Sequence, residues 1–108
     1  AFLVMLENAL KKRKIDYTVS KEFHPIKGKR YRVDLLVELF SLNKKIAIEY
    51  KSDRCYWNKD KIKKQIEFYQ EHLHKIGVEK TYLISTKGKY GISRDAFLKD
   101  FLKELDNE

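Results

Sequence analysis

Two runs of alternating side chains, separated by four turn-prone residues, constrain the fold of this 108-residue chain more than any other feature. In the first, Tyr31, Val33, Leu35, Val37 and Leu39 point one way, and Arg32, Asp34, Leu36, Glu38 and Phe40 the other. After Ser41-Leu42-Asn43-Lys44 the pattern resumes over residues 45–51. There Ile46, Ile48 and Tyr50 face one side and Ala47, Glu49 and Lys51 the other. Two such runs around a short turn form an antiparallel hairpin. Their apolar faces coincide only if odd positions of the first strand oppose even positions of the second. That parity places Asp34 on the same face as Glu49 and Lys51. Asp34 lies opposite Lys51 for a four-residue turn, and opposite Glu49 for a slightly longer one. Either register gathers three ionisable side chains at the open end of the hairpin.

The remaining elements follow from periodicity. Residues 2–14 read as a helix with Phe2, Leu3, Leu6, Ala9 and Leu10 on one face and a basic run at its end. Residues 17–23 are β-prone, and Pro25 to Gly28 supply a turn. Residues 58–76 form the longest helix, with Ile62, Ile66, Tyr69, Leu73 and Ile76 in register and Gly77 as its stop. Residues 81–85 read as a buried strand. A last helix, N-capped by Ser93, carries Phe97, Leu98, Phe101, Leu102 and Leu105. The expected order is αβββαβα, a single α/β domain over residues 1–108, either complete with its initiator Met removed or excised from a longer chain.

With 43% hydrophobic and 37% charged residues the chain is too apolar for disorder. No apolar run approaches the roughly 18–20 residues of a spanning helix. A lone cysteine, Cys55, cannot form an intrachain disulfide, and no secretory leader opens the chain, so an intracellular, soluble protein without a membrane partner is expected. The net charge of +8 is uneven. Residues 94–108 hold three basic and five acidic groups, which leaves +10 on residues 1–93. Such an excess suggests a polyanionic partner, nucleic acid being the usual one; Lys-rich solvated helices would give the same count.

The hairpin's open end carries the chemistry. Two carboxylates with waters and substrate phosphate suit a hard cation such as Mg²⁺, and a neighbouring ammonium can orient an attacking water or stabilise developing charge. Asp34, Glu49 and the carbonyl of Tyr50 are the candidate ligands, and Lys51 the candidate assistant. A solvated strand face with a weak cross-strand ion pair would use the same residue types. Lys29, Arg30 and Arg32 before the site and Arg54, Lys61 and Lys64 after it could bind phosphates. Tyr56 and Trp57 could stack on a base or pack under the long helix. His24, His72, His74 and Cys55 form no zinc set.

The element order and the segments 30–34 (RYRVD) and 46–51 (IAIEYK) resemble the core of the PD-(D/E)XK nuclease superfamily, over nearly the whole chain, with Val33 in place of the usual Pro. The resemblance implies a restriction-endonuclease-like fold, a central mixed sheet flanked by helices. It implies Asp34 and Glu49 as metal ligands and Lys51 as catalytic. Glu7 on the first helix would complete the metal shell. Gln65 and Tyr69 resemble the Q-x-x-x-Y element of RecB-type members. The expectation is a Mg²⁺-dependent endonuclease (Mn²⁺ substituting) that cuts DNA as a homodimer, in the manner of a Holliday junction resolvase or other structure-specific nuclease. The alternatives are a nuclease domain of a larger restriction, homing, RecB-type or RNA-cleaving enzyme, a non-catalytic nucleic-acid-binding module, and a structural or interaction protein.

Overall fold

The structure, a computed structural model, describes residues 2–54 and 56–108; the expectations for Ala1 and Cys55 lie outside the described residues. Its elements are α1 (Phe2–Lys12), β1 (Tyr17–Phe23), β2 (Val33–Leu39), β3 (Lys44–Tyr50), α2 (Lys59–His74), β4 (Lys80–Ser85), β5 (Ile92–Ser93) and α3 (Arg94–Asp106). The two-residue β5 was not expected. It is too short to show any periodicity, and its pairing with β4 creates it.

The five strands form one sheet in chain order. β1, β2 and β3 are antiparallel, whereas β4 runs parallel to β3 and β5 to β4. The β2–β3 connection is a 3₁₀ turn over Phe40–Leu42, closed by Asn43 at φ 48°, whose N–H donates to the Phe40 carbonyl. The turn begins one residue earlier than the composition suggests. Lys44 therefore joins β3 opposite Leu39, and Leu35 pairs with Ile48. Of the two registers allowed by parity this is the one that carries Asp34 across from Glu49. Tyr31 and Arg32 precede β2 and belong to the loop.

The sheet's pleat divides the core in two. Val37, Leu39, Ile46, Ile48 and Ile84 pack on one face with Leu6 and Leu10 of α1 and Phe97, Phe101 and Leu105 of α3. Leu36 and Ala47 pack on the other face with Tyr69 and Leu73 of α2 and with Val78. Asn58 caps α2 by accepting from the Asp60 and Lys61 amides at 2.9 and 3.2 Å, and Ser93 caps α3 through the Ala96 amide at 3.2 Å.

Lys44 is buried. It is 2.7 Å from Glu104, 3.0 Å from Glu108 and 3.6 Å from Glu79. Burial alone would lower its pKa, but the hydrogen bonds it donates to Glu104 and Glu108 outweigh it and hold the ammonium above its ordinary value. This group pins the C-terminal end of α3 to the start of β3. Arg13 does the same for α1, with 2.7 and 2.9 Å bonds to Asp106.

Gly91 sits where the chain passes closest to β4. At φ +67° it lies in the left-handed region, and a Cβ there would stand 2.0 Å from the Leu83 carbonyl oxygen. Gly91→Ala must move backbone, and we expect a loss of roughly 2–4 kcal/mol in urea unfolding. A loss below about 0.5 kcal/mol would contradict so close an approach.

Candidate functional site

The α2 face of the sheet ends in a polar cleft of about 330 Å³, lined by Arg30, Tyr31, Arg32, Asp34, Glu49, Tyr50, Lys51, Gln65 and Tyr69. β2 and β3 bring Asp34, Glu49 and Lys51 to its floor, because residues two apart on a strand share a face. α2 lowers Gln65 and Tyr69 over them, since residues four apart share a helical stripe. Gln65 Nε2 donates to the Tyr69 hydroxyl at 3.1 Å.

At the centre, Asp34 Oδ2 accepts the Tyr50 amide at 2.7 Å. Beside it in the cleft stands the carboxyl of Glu49, a residue 5% exposed. Burial and a neighbouring acid both favour the neutral form of a carboxyl. Burial is the largest cause, Asp34 adds to it, and together they push Glu49 up to about 8, against a smaller opposing pull from Lys51. Lys51 Nζ stands 3.9 Å from Glu49 Oε2 and 4.9 Å above the Trp57 ring. Burial, and then the charge of Glu49, raise the Tyr69 phenol too.

The other candidates fall elsewhere. Glu7 is on α1, whose buried leucines pack against the opposite face of the sheet, and it does not line the cleft. Lys29 is exposed, and its carbonyl accepts from His24 Nδ1 at 3.1 Å. Arg54 lies in a neighbouring hollow with Asp53 and Thr86. Lys61 and Lys64 are exposed on α2. Tyr31, which sequence alone assigns to the strand's apolar face, instead lines the cleft from the loop. Its place between Arg30 and Arg32 was the available signal. Asp53 was also missed: it accepts the Lys87 and Lys89 amides at 2.7 and 3.2 Å and so clamps the loop after β4 beside the cleft.

A crystal structure of an fdxN element excision controlling factor protein from Anabaena variabilis matches this chain with a TM-score of 0.50 and 23% identity, over 96% of this chain and 80% of that one. An XisH family protein from Nostoc punctiforme PCC 73102 matches at 22% identity over 98% and 82%, with a TM-score of 0.47. No family model and no curated protein matches. At this identity the likeness is one of fold: the α/β fold of the Anabaena factor.

That finding corrects the resemblance. The restriction-endonuclease-like architecture gives way to the fold of the Anabaena factor, which is not named as a PD-(D/E)XK nuclease. An Asp and an E-x-K meet wherever two alternating strands pair in this register, so the short motif outran its support. The metal expectation is corrected as well. Among the described residues no group of three or more His, Cys, Asp or Glu side chains could hold a metal ion. Asp34, Glu49 and the Tyr50 carbonyl gain no third acid from Glu7, which does not line the cleft. The Mg²⁺ or Mn²⁺ cofactor and the endonuclease activity, in all its variants, are set aside with it.

The DNA partner, the nucleic-acid-binding module and the homodimer are corrected on the same comparison, since the Anabaena protein is named for excision control and not as a nucleic-acid-binding dimer. The basic excess does not by itself name a partner, since exposed lysines of a solvated helix, such as Lys61 and Lys64, give the same count. Among the described residues no helix is long and apolar enough to cross a membrane.

Glu49 makes stability depend on pH. An unfolded-chain glutamate titrates near ~4.3. Between that value and the folded value of about 8 only the folded state holds the proton. Stability therefore falls as pH rises through this window and levels off above it. We expect the wild type to lose on the order of 3 kcal/mol between about pH 5 and 9, and Glu49→Gln less than about 1 kcal/mol, in urea unfolding. Parallel pH curves for the two proteins would contradict the proton held on Glu49.

Proposed function

We propose that this chain is a regulatory binding protein, an accessory factor of the excision-controlling kind for which its Anabaena fold neighbour is named, and that its polar cleft is the ligand site. The observation that carries the reading is the meeting, in one cleft, of the Asp34 and buried Glu49 carboxyls with Arg30, Arg32 and Lys51. Arginine and lysine favour an anionic group, and Arg forks match planar or tetrahedral oxyanions. The Asp34–Glu49 pair offers acceptor oxygens to a hydroxyl or amine on the same ligand. The ligand class is thus a small molecule or side chain bearing an oxyanion and, nearby, a hydrogen-bond donor. Gln65 and the Tyr69 hydroxyl, held to each other, cover it from α2.

The Glu49 proton governs this site's charge. Below about pH 8 Glu49 is neutral, and above it Glu49 adds a negative charge beside Arg30, Arg32 and Lys51. Anion affinity should fall as pH rises through this value. Isethionate and ethanesulfonate, whose charge is constant over the range, separate the contributions in amide NMR titrations. At low millimolar concentration both should shift the amides of Arg32, Lys51 and Gln65 near pH 6.5, isethionate binding more tightly through its hydroxyl. Both should weaken at least ~3-fold by pH 9. Arg32→Ala should weaken both at either pH. Equal binding of the two sulfonates, or shifts confined to exposed lysines of α2, would contradict the reading.

A further inference from the structure

Arg30, Tyr31 and Arg32 reach the cleft from the loop between β1 and β2, not from a strand or a helix. A loop without a ladder of its own samples many conformations, and cations on it bind an anion only after the chain is ordered. What holds residues 24–32 in place is therefore part of the site. One contact is the Tyr31 ring, which packs on Phe68 of α2 with centroids 5.1 Å apart. Another lies at the start of the loop, at His24.

His24 Nδ1 stands 3.1 Å from the Lys29 carbonyl oxygen and 3.1 Å from that of Tyr31. Carbonyl oxygens only accept, so both contacts need a proton on Nδ1. The neutral ring carries a single N–H, which leaves Nε2 as the bare, accepting nitrogen. One N–H thus draws together the two carbonyls that flank Arg30, and the second of them leads directly into Arg32. The turn inside the loop agrees with this closure. The Lys29 N–H donates to the Ile26 carbonyl at 3.2 Å, and Gly28 passes through φ +77°. Pro25, next to His24, has a fixed φ and no N–H to compete for the same carbonyls.

We propose that His24 is a positioning residue of the cleft, whose Nδ1–H latches the Lys29 and Tyr31 carbonyls and so sets Arg30 and Arg32 for an oxyanion. His24 does not itself line the cleft, and it acts through the backbone of the loop. Its role in binding rests on the cleft's ligand reading, whereas the latch is a property of the loop alone. The feature that acts is the place of one donor, not the charge or bulk of the ring.

Asparagine and glutamine isolate that feature. Both are neutral amides, but the Asn nitrogen reaches the place of Nδ1 and the Gln nitrogen that of Nε2. In the whole chain, ¹⁵N NMR of the neutral His24 ring should show Nδ1 protonated and Nε2 bare. In amide titrations with ethanesulfonate near pH 6.5, His24→Asn should bind within ~2-fold of the wild type and His24→Gln at least ~3-fold more weakly. Hydrogen exchange at the Lys29 amide should quicken in His24→Gln alone. His24 is exposed, so both variants should keep the α3 amide shifts of the wild type. An Nε2–H tautomer, or equal ethanesulfonate binding by the two variants, would overturn the proposal and leave the cleft's reading standing. Absent binding by the wild type would overturn that reading and the positioning role together, and the tautomer and the Lys29 exchange would still decide the latch.

Discussion

The register between β2 and β3 is the constraint on which the site depends. Leu35 opposite Ile48 carries Asp34 across from Glu49, on the face that α2 covers. A register two residues away would keep every apolar side chain on its own face and yet part the two acids. The turn decides between them. Asn43 in the left-handed region closes a 3₁₀ turn one residue early, and Lys44 is drawn into the strand by three glutamates. A surface turn and a buried ion group thus set the separation of two carboxyls at the hairpin's far end.

Once the acids are together, burial determines their state. A fully ionised pair in this place would be driven apart by repulsion in poor solvent, and a single proton removes that cost. The Tyr50 amide holds the Asp34 carboxyl in place, and burial, with Asp34 beside it, keeps Glu49 neutral. Lys51 stays 3.9 Å away, near enough to bias the pair but not to replace the proton, and the Trp57 ring gives its ammonium a second seat. The same economy runs through the molecule. Arg13 and Lys44, which look available in the sequence, are held by acids from distant parts of the chain.

Much of this was legible in the residues. Alternation over 31–51 located the hairpin and the shared face of Asp34, Glu49 and Lys51, and the four-residue step from Gln65 to Tyr69 put both on one stripe of α2. Ser93 as a cap needed only its place before an apolar helix. The failures have physical causes. Nothing local tells a turn to begin at Phe40 rather than Ser41, because the deciding contacts of Lys44 come from residues 60 and 64 positions away. Tyr31 continues the alternation but leaves the strand, since loop residues carry no period. The proton on Glu49 comes from three-dimensional burial, which no spacing encodes. The same spacing suggested a metal and a nuclease, whereas the fold likeness is to an excision controlling factor and the described residues form no metal cluster.

The direct test of this account is the titration of Glu49 itself. Site-specific ¹³C NMR of the Glu49 side-chain carboxyl across pH should show it gaining its charge near 8. A transition in the ordinary carboxylate range would mean that burial and the neighbouring Asp34 do not hold the proton on Glu49, and the account of the cleft would fail.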